Sequence, residues 1–473
     1  MQKIKITNFA AIKDAEIEVR NFLILIGEQA SGKSTISKLI YFFKSFRDDL
    51  FNQIYTDTKK DYFDNVSDLI FPIRQKFYDY FGSTFHLPNF EIRFYFSVEK
   101  DKYLTLSLDK NKKLHPQFSN NFLTNSLKNS AGQIKKLLQK NIDSTDIYEQ
   151  LAHEQNKIKY AQRLSLLVNE LFECNHNHQL YIIEGRNATI SYSTLFENYF
   201  FADLQNKIIA QSKLTTEESK LERGADEKTM NENLMLDFVK RVSKLKDIFK
   251  KFGNFEGLIE SYTDNNDEKK RLNNIKSLID EILKGKYIID NWGEKIIVNK
   301  ETGEYVYLSN ASSGQKESVR ILQDLFLIIL ENQKVLRIIE EPEAHLFPIA
   351  QKQLIELLSL MLNSNSSNQL IITTHSPYVL TVINNLLFAH RVISKNAEAT
   401  KSVNEIISQE YHLNPDNFSA YSLGNTLIGE IYCENIFNNK TGLMKQSYLD
   451  TVSDMLGGDF NQLYNIHSQK FAK

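Results

Sequence analysis

The sequence predicts an α/β protein: a parallel sheet with flanking helices and a β-rich lobe, interrupted by a mainly helical insertion. Three observations predict it. The apolar run Phe22-Leu23-Ile24-Leu25-Ile26 opens onto a glycine-rich loop and an amphipathic helix. A second run, Val335-Leu336-Arg337-Ile338-Ile339, ends in Glu340-Glu341-Pro342-Glu343. A third, Leu370-Ile371-Ile372, ends in Thr373-Thr374-His375-Ser376-Pro377. Short apolar runs bounded by turn residues and separated by helical periodicity suit strands buried on both faces of a parallel sheet.

The first strand leads into Gly27-Glu28-Gln29-Ala30-Ser31-Gly32-Lys33-Ser34-Thr35, which fits the phosphate-loop pattern G-x-x-x-x-G-K-[ST]. Ile36, Leu39, Ile40 and Phe43 then fall on one face of a helix. Strand, loop and helix together make the motif specific. Glycines let the backbone curl so that its N–H groups meet phosphate oxygens, and the following helix N-terminus favours anions. Lys33 supplies a charge for the β- and γ-phosphates, Ser34 a hydroxyl for Mg²⁺, and Thr35 a contact to an α-phosphate.

The second strand ends in paired carboxylates. Glu340 is placed to hold Mg²⁺ with Ser34, and Glu341 to polarise an attacking water. Leu354, Leu357, Leu358 and Met361 mark a helix after Pro348. At the third strand end, His375 stands where it can orient a terminal phosphate. Ahead of the acidic strand lies Ala311-Ser312-Ser313-Gly314-Gln315-Lys316-Glu317. Hydroxyl and glycine residues at a helix start make an N-cap and a second anion-binding surface.

This order of motifs resembles the ATP-binding-cassette (ABC) ATPases, in the soluble branch of SMC, RecF-type and overcoming-lysogenization-defect ATPases. The resemblance covers residues 1–43 and about 287–390. It implies ATP and Mg²⁺ as ligands, Glu341 and His375 as catalytic residues, and Ser312, Ser313, Gly314 and Gln315 as a signature acting on ATP held by another subunit. It thereby implies an ATP-dependent head-to-head dimer or larger homo-oligomer. His345 and its neighbours look like the loop that meets the other subunit. Ser313, Glu340 and Gln29 stand where glycine, aspartate and asparagine are commoner, and together they allow slow turnover.

The expected organisation is a head in two parts, 1–109 and 287–420, around an insertion at 110–286, with a helical tail at 421–473. A strand near 180–183 returns to the head, and Arg186 after it is either a surface residue or the arginine that follows a similar strand in ABC-type ATPases of phage defence. The lysine-rich helix at 238–252 is either a solvated face or a stripe for a phosphate backbone. Cys174-Asn175-His176-Asn177-His178 reads as a polar turn rather than a zinc site, which wants four ligands at suitable spacing. No sustained heptads support a long coiled-coil arm.

Composition sets the outer limits. At 473 residues the chain has room for about three domains. Hydrophobic residues are 42% and charged residues 25%, which excludes a mainly disordered or fibrous chain. No apolar run approaches the ~20 residues that span a bilayer, the first residues lack a signal-peptide layout, and two cysteines make no disulfide framework. The expectation is a cytoplasmic protein without a membrane partner. A net charge of −2 excludes a strongly basic chain but not a local basic patch.

No nuclease signature follows His375; Asp450, Asp454 and Asp459 are scattered. The layout is similar to the stand-alone ATPases of anti-phage systems, such as the Septu and PARIS ATPases. That similarity implies a separate HNH or Toprim effector as partner, with DNA or a phage component as a further one. The alternatives are a DNA-maintenance ATPase acting directly on DNA and a non-hydrolysing ATP-gated scaffold.

Overall fold

The computed structural model describes residues 1–56, 67–122, 147–191, 230–424 and 432–445, with 128–130, 132–133, 136 and 462. Its strands in chain order are β1 (Gln2–Phe9), β2 (Ile12–Val19), β3 (Phe22–Gly27), β4 (Glu91–Ser97), β5 (Lys102–Leu108), β6 (Leu114–Phe118), β7 (His178–Ile182), β8 (Lys286–Asp290), β9 (Gly293–Ile297), β10 (Tyr305–Tyr307), β11 (Val335–Glu340), β12 (Gln369–Thr374), β13 (Phe418–Leu423) and β14 (Cys433–Asn435). The principal helices are α1 (Lys33–Thr56), α2 (Ser67–Phe81), α3 (Ile147–Leu171), α4 (Met230–Phe252), α5 (Asn266–Leu283), α6 (Ser313–Leu330), α7 (Pro348–Ser364) and α8 (Pro377–Lys395).

The α/β expectation holds. A six-stranded sheet runs β14-β13-β3-β12-β11-β7, and every pair is parallel except β13 with β14. Because side chains alternate along a strand, β3 feeds two cores. Phe22 and Ile24 pack with α4 to α8; Leu23 and Leu25 pack with α1, α3 and the lobe. The apolar run lacks polar alternation because both faces are covered.

The lobe is a five-stranded sheet, β2-β1-β4-β5-β6, antiparallel throughout. It extends past residue 109, since β6 adds an edge strand carrying Pro116. Proline lacks an N–H, so an edge is where a sheet accepts it.

Parts of the predicted insertion pack into the head. β7 pairs with β11, aligning Tyr181 with Ile338, close to the expected strand at 180–183. Along α4, Phe238, Val242, Leu245 and Phe249 are buried in the head core. Arg241 turns inward to Asp324 at 2.7 Å, while Lys240, Lys244, Lys250 and Lys251 stay exposed. The stretch at 215–233, expected from its charge as a loop, lies outside the described residues as far as 229, and its last four residues are helical instead, opening α4 at Met230.

The tail, expected to be helical over 421–473, is described only at 421–424, 432–445 and 462. The described residues of 421–473 are mostly strand: the end of β13, β14, and the pair Phe437–Asn438 with Leu443–Met444. β13 needs a partner on its outer side, and Cys433 closes back on Leu423 to provide it. Strands this short carry no readable period. Asp450, Asp454 and Asp459 lie outside the described residues.

Candidate nucleotide site

Parallel register gathers the site at one edge. Thr374 aligns with Ile26 and Glu340 with Thr373, so the residues following β3, β11 and β12 emerge side by side. Carboxyl ends of parallel strands are the usual ligand-binding edge of an open α/β sheet.

The glycine-rich loop occupies that edge. Gly32 has φ +91°, and a Cβ there would lie 2.7 Å from the Tyr432 hydroxyl. A Cβ on Gly27 would collide with the Leu423 carbonyl of the neighbouring strand. Both glycines are required by close approach as well as conformation. Lys33 opens α1 and folds back, donating to the carbonyls of Gly27 at 2.9 Å and Glu28 at 2.7 Å. Burial lowers its pKa, opposed by Glu341, Glu184 and Glu343. Glu28, Gln29 and Ala30 are exposed, and Ser34 and Thr35 sit half-buried in the first turn of α1.

The acidic pair is divided by environment. Glu340 is buried: its Oε1 accepts from the Tyr181 hydroxyl at 2.7 Å and its Oε2 from the Glu184 N–H at 3.2 Å. Tyr181 also bonds Ser37 of α1 at 2.7 Å, and Lys38 of α1 approaches Glu340 Oε1 at 3.8 Å. Glu341 is half-buried, at φ +42°, and its Oε1 lies 3.0 Å from His375 Nε2. Burial raises the Glu341 carboxyl above its ordinary value and the Glu184 charge adds to this, with His375 and Lys33 opposing.

Glu343, which the sequence marked only as part of a loop, is buried under His375. Its Oε1 accepts from the Thr374 hydroxyl and from the His375 N–H at 3.3 Å. Burial raises its pKa.

Arg186 is buried, resolving the open choice against a surface residue. Its guanidinium donates to the carbonyls of Glu340 and Glu341, both at 2.9 Å, and to Glu317 of α6 at 3.1 Å. A planar fork with several donors suits this role. Arg186 therefore ties the acidic strand end to the helix that begins at the serine-glycine segment. Tyr181 was missed by sequence reasoning; its trace was one hydroxyl within an apolar strand.

Ser312 is the N-cap of α6, in a capping box with Gln315, whose backbone N–H lies 3.3 Å from its hydroxyl. Ser312 and Ser313 are exposed. A Cβ on Gly314 would lie 2.6 Å from the His345 carbonyl oxygen, so glycine lets the helix start and the 343–348 loop touch. Among the described residues, no hydrogen bond joins 312–315 to 27–35.

A serine hydroxyl and one carboxylate beside a phosphate-binding loop suit Mg²⁺, which keeps several waters and takes few protein ligands. Among the described residues, no three His, Cys, Asp or Glu side chains converge to hold a metal by themselves. Cys174 Sγ lies 3.3 Å from the His176 ring, both residues being buried ahead of β7. Among the described residues, no helix is long and apolar enough to cross a membrane.

The sequence pattern of the AAA ATPase domain family matches residues 1–380. The chain belongs to that family. No curated relative matches it. Among solved structures, this AAA ATPase domain is similar to the SMC head domain from Thermotoga maritima, at 11% identity and TM-score 0.33, covering 80% of this chain and 90% of that one. It is similar to the Smc head with an extended coiled coil, bound to the C-terminal domain of ScpA, derived from Pyrococcus furiosus, at 13% identity and TM-score 0.33, covering 81% and 92%. A third is the recombination mediator RecF, at 17% identity and TM-score 0.29, covering 79% and 92%.

Proposed function

We propose that this chain is an ABC-type ATP hydrolase whose site is completed by a second copy, and that it serves a bacterial anti-phage system by controlling a separate HNH or Toprim effector. One observation carries the hydrolase reading: Glu341, held by His375 at 3.0 Å, stands at the same sheet edge as the Lys33 loop. The exposed Ser312 and Ser313, unbonded to their own loop, support the shared site. The similarity of the motif set to the stand-alone ATPases of anti-phage systems supports the separate effector.

In this reading the loop N–H groups and the α1 N-terminus receive the phosphates. Lys33 exchanges its two carbonyl partners for phosphate oxygens. Glu341 takes a proton from the attacking water as its oxygen bonds the γ-phosphorus and the bond to the bridging oxygen breaks. His375 orients the carboxylate. Ser34 and Glu340 would hold Mg²⁺, which would supply neutralising charge to the phosphate oxygens.

The test is phosphate release by Lys33→Ala and Glu341→Gln, with solution mass measured with and without ATP. Both variants are expected to lose turnover, and Glu341→Gln to accumulate as an ATP-bound dimer. Wild-type turnover in either variant overturns the site, and a mass indifferent to ATP overturns the shared one. Phage challenge of cells carrying this chain with its neighbouring gene, against the same cells carrying Lys33→Ala, tests the defence role.

A further inference from the structure

We propose that Tyr432, a tail residue outside every sequence motif, is a positioning residue that fixes one peptide of the phosphate loop for nucleotide. The inference rests on the reading of residues 27–35 as the phosphate site.

The Tyr432 hydroxyl donates to the Ser31 carbonyl. No peptide bond among the described residues is cis. In a planar trans peptide the C=O and the next N–H point in opposite directions. A hydroxyl that holds the Ser31 carbonyl toward the tail therefore holds the Gly32 N–H away from it. That N–H takes no hydrogen-bond partner among the described residues, so it is free to serve an anion. The contact is also built from the tail's own side. The Gly424 N–H donates to the Tyr432 carbonyl at 2.9 Å, and a Cβ on Gly424 would lie 2.8 Å from that of Ser31. Gly32 leaves the room the hydroxyl needs. Burial pushes the Tyr432 phenol up to about 12, so it remains a donor at neutral pH.

The position also explains why the tail closes on this edge of the sheet. β13 runs parallel to β3 and pairs Leu423 with Gly27, which delivers the tail directly beside the loop. A flexible glycine-rich loop has many peptide orientations to lose on binding. Holding one of them beforehand lowers that cost.

Tyr432→Phe keeps the ring and removes only the donor. It is expected to weaken ATP and ADP binding by roughly three- to tenfold, the range of one hydrogen bond. KM for ATP should rise in step, kcat should stay within about twofold, and the unfolding temperature without nucleotide should be unchanged. Nucleotide affinity equal to wild type, in a preparation where Lys33→Ala abolishes binding, overturns the proposal and leaves the phosphate-site reading standing. A lowered unfolding temperature with unchanged affinity makes Tyr432 merely structural and also overturns it. Wild-type binding by Lys33→Ala overturns the phosphate-site reading and the proposal with it.

Discussion

His375 Nε2 meets Glu341 Oε1 at 3.0 Å, joining the ends of two adjacent parallel strands. The contact is supported from below by Glu343, which accepts the His375 N–H, and from behind by Arg186, which holds the Glu341 carbonyl. Both partners of the pair are thus fixed through their backbones as well as their side chains. Backbone in the left-handed region at Glu341 is costly for a non-glycine residue and persists where surrounding bonds enforce it.

Glu341→Gln should lower turnover by about a hundredfold or more, the range of a lost general base, while ATP binding persists. Phosphate release and equilibrium nucleotide binding read the two effects separately. Equal losses in both would place Glu341 in binding instead.

Acid pH should inactivate earlier than an ordinary carboxylate predicts. A general base works only when deprotonated, and the Glu341 carboxyl is raised, so activity falls as pH drops through that raised value. Glu184 contributes to the rise, so Glu184→Gln should move the acid limb of kcat/KM to lower pH. A limb that moves upward would contradict this.

Arg186→Ala should destabilise the protein by about 3–5 kcal/mol, because the Glu317 carboxylate, 3.2 Å from Arg186 Nε, is left buried without its partner. Arg186→Lys keeps the charge but lacks the fork that bridges the Glu340 and Glu341 carbonyls. It should retain more stability than the alanine variant and still lose turnover. Urea unfolding and phosphate release on the same samples test this.

Gly314→Ala inserts a methyl 2.6 Å from the His345 carbonyl oxygen, so the helix start or the loop must shift. A cost of about 1–3 kcal/mol is expected, together with lost hydrolysis. Unchanged stability and turnover would show that the contact relaxes freely.

Tyr181→Phe removes a hydroxyl that holds Glu340 Oε1 at 2.7 Å and links it to Ser37. The Mg²⁺ concentration for half-maximal hydrolysis should rise several-fold, whereas ATP binding without Mg²⁺ should stay near wild type. A titration with Mg²⁺ that superimposes on wild type would remove Tyr181 from this role.

Much of the site was legible because its chemistry is local. The loop from Gly27 to Thr35 follows its strand directly, and the acidic pair and His375 each sit at the end of an apolar run. Tyr181 and Glu343 were not legible as supports, since each acts on a residue of another element. Arg186 was legible only as one of two alternatives; burial decided it. In the tail, expected to be helical, the described residues include β14 paired with β13, and strands this short leave no period to read.

The sequence by itself determined the loop, the acidic strand, the strand-end histidine and the α/β class, because backbone curl, charge and apolar periodicity are written in neighbouring residues. The tertiary structure alone decided that Arg186 clamps the acidic strand, that Tyr181 anchors Glu340, and that Tyr432 closes on the phosphate loop. These contacts join segments far apart in the chain, and strand pairing, parallel for β7 with β11 and β3 with β13 and antiparallel for β13 with β14, brings them together where no local pattern encodes it.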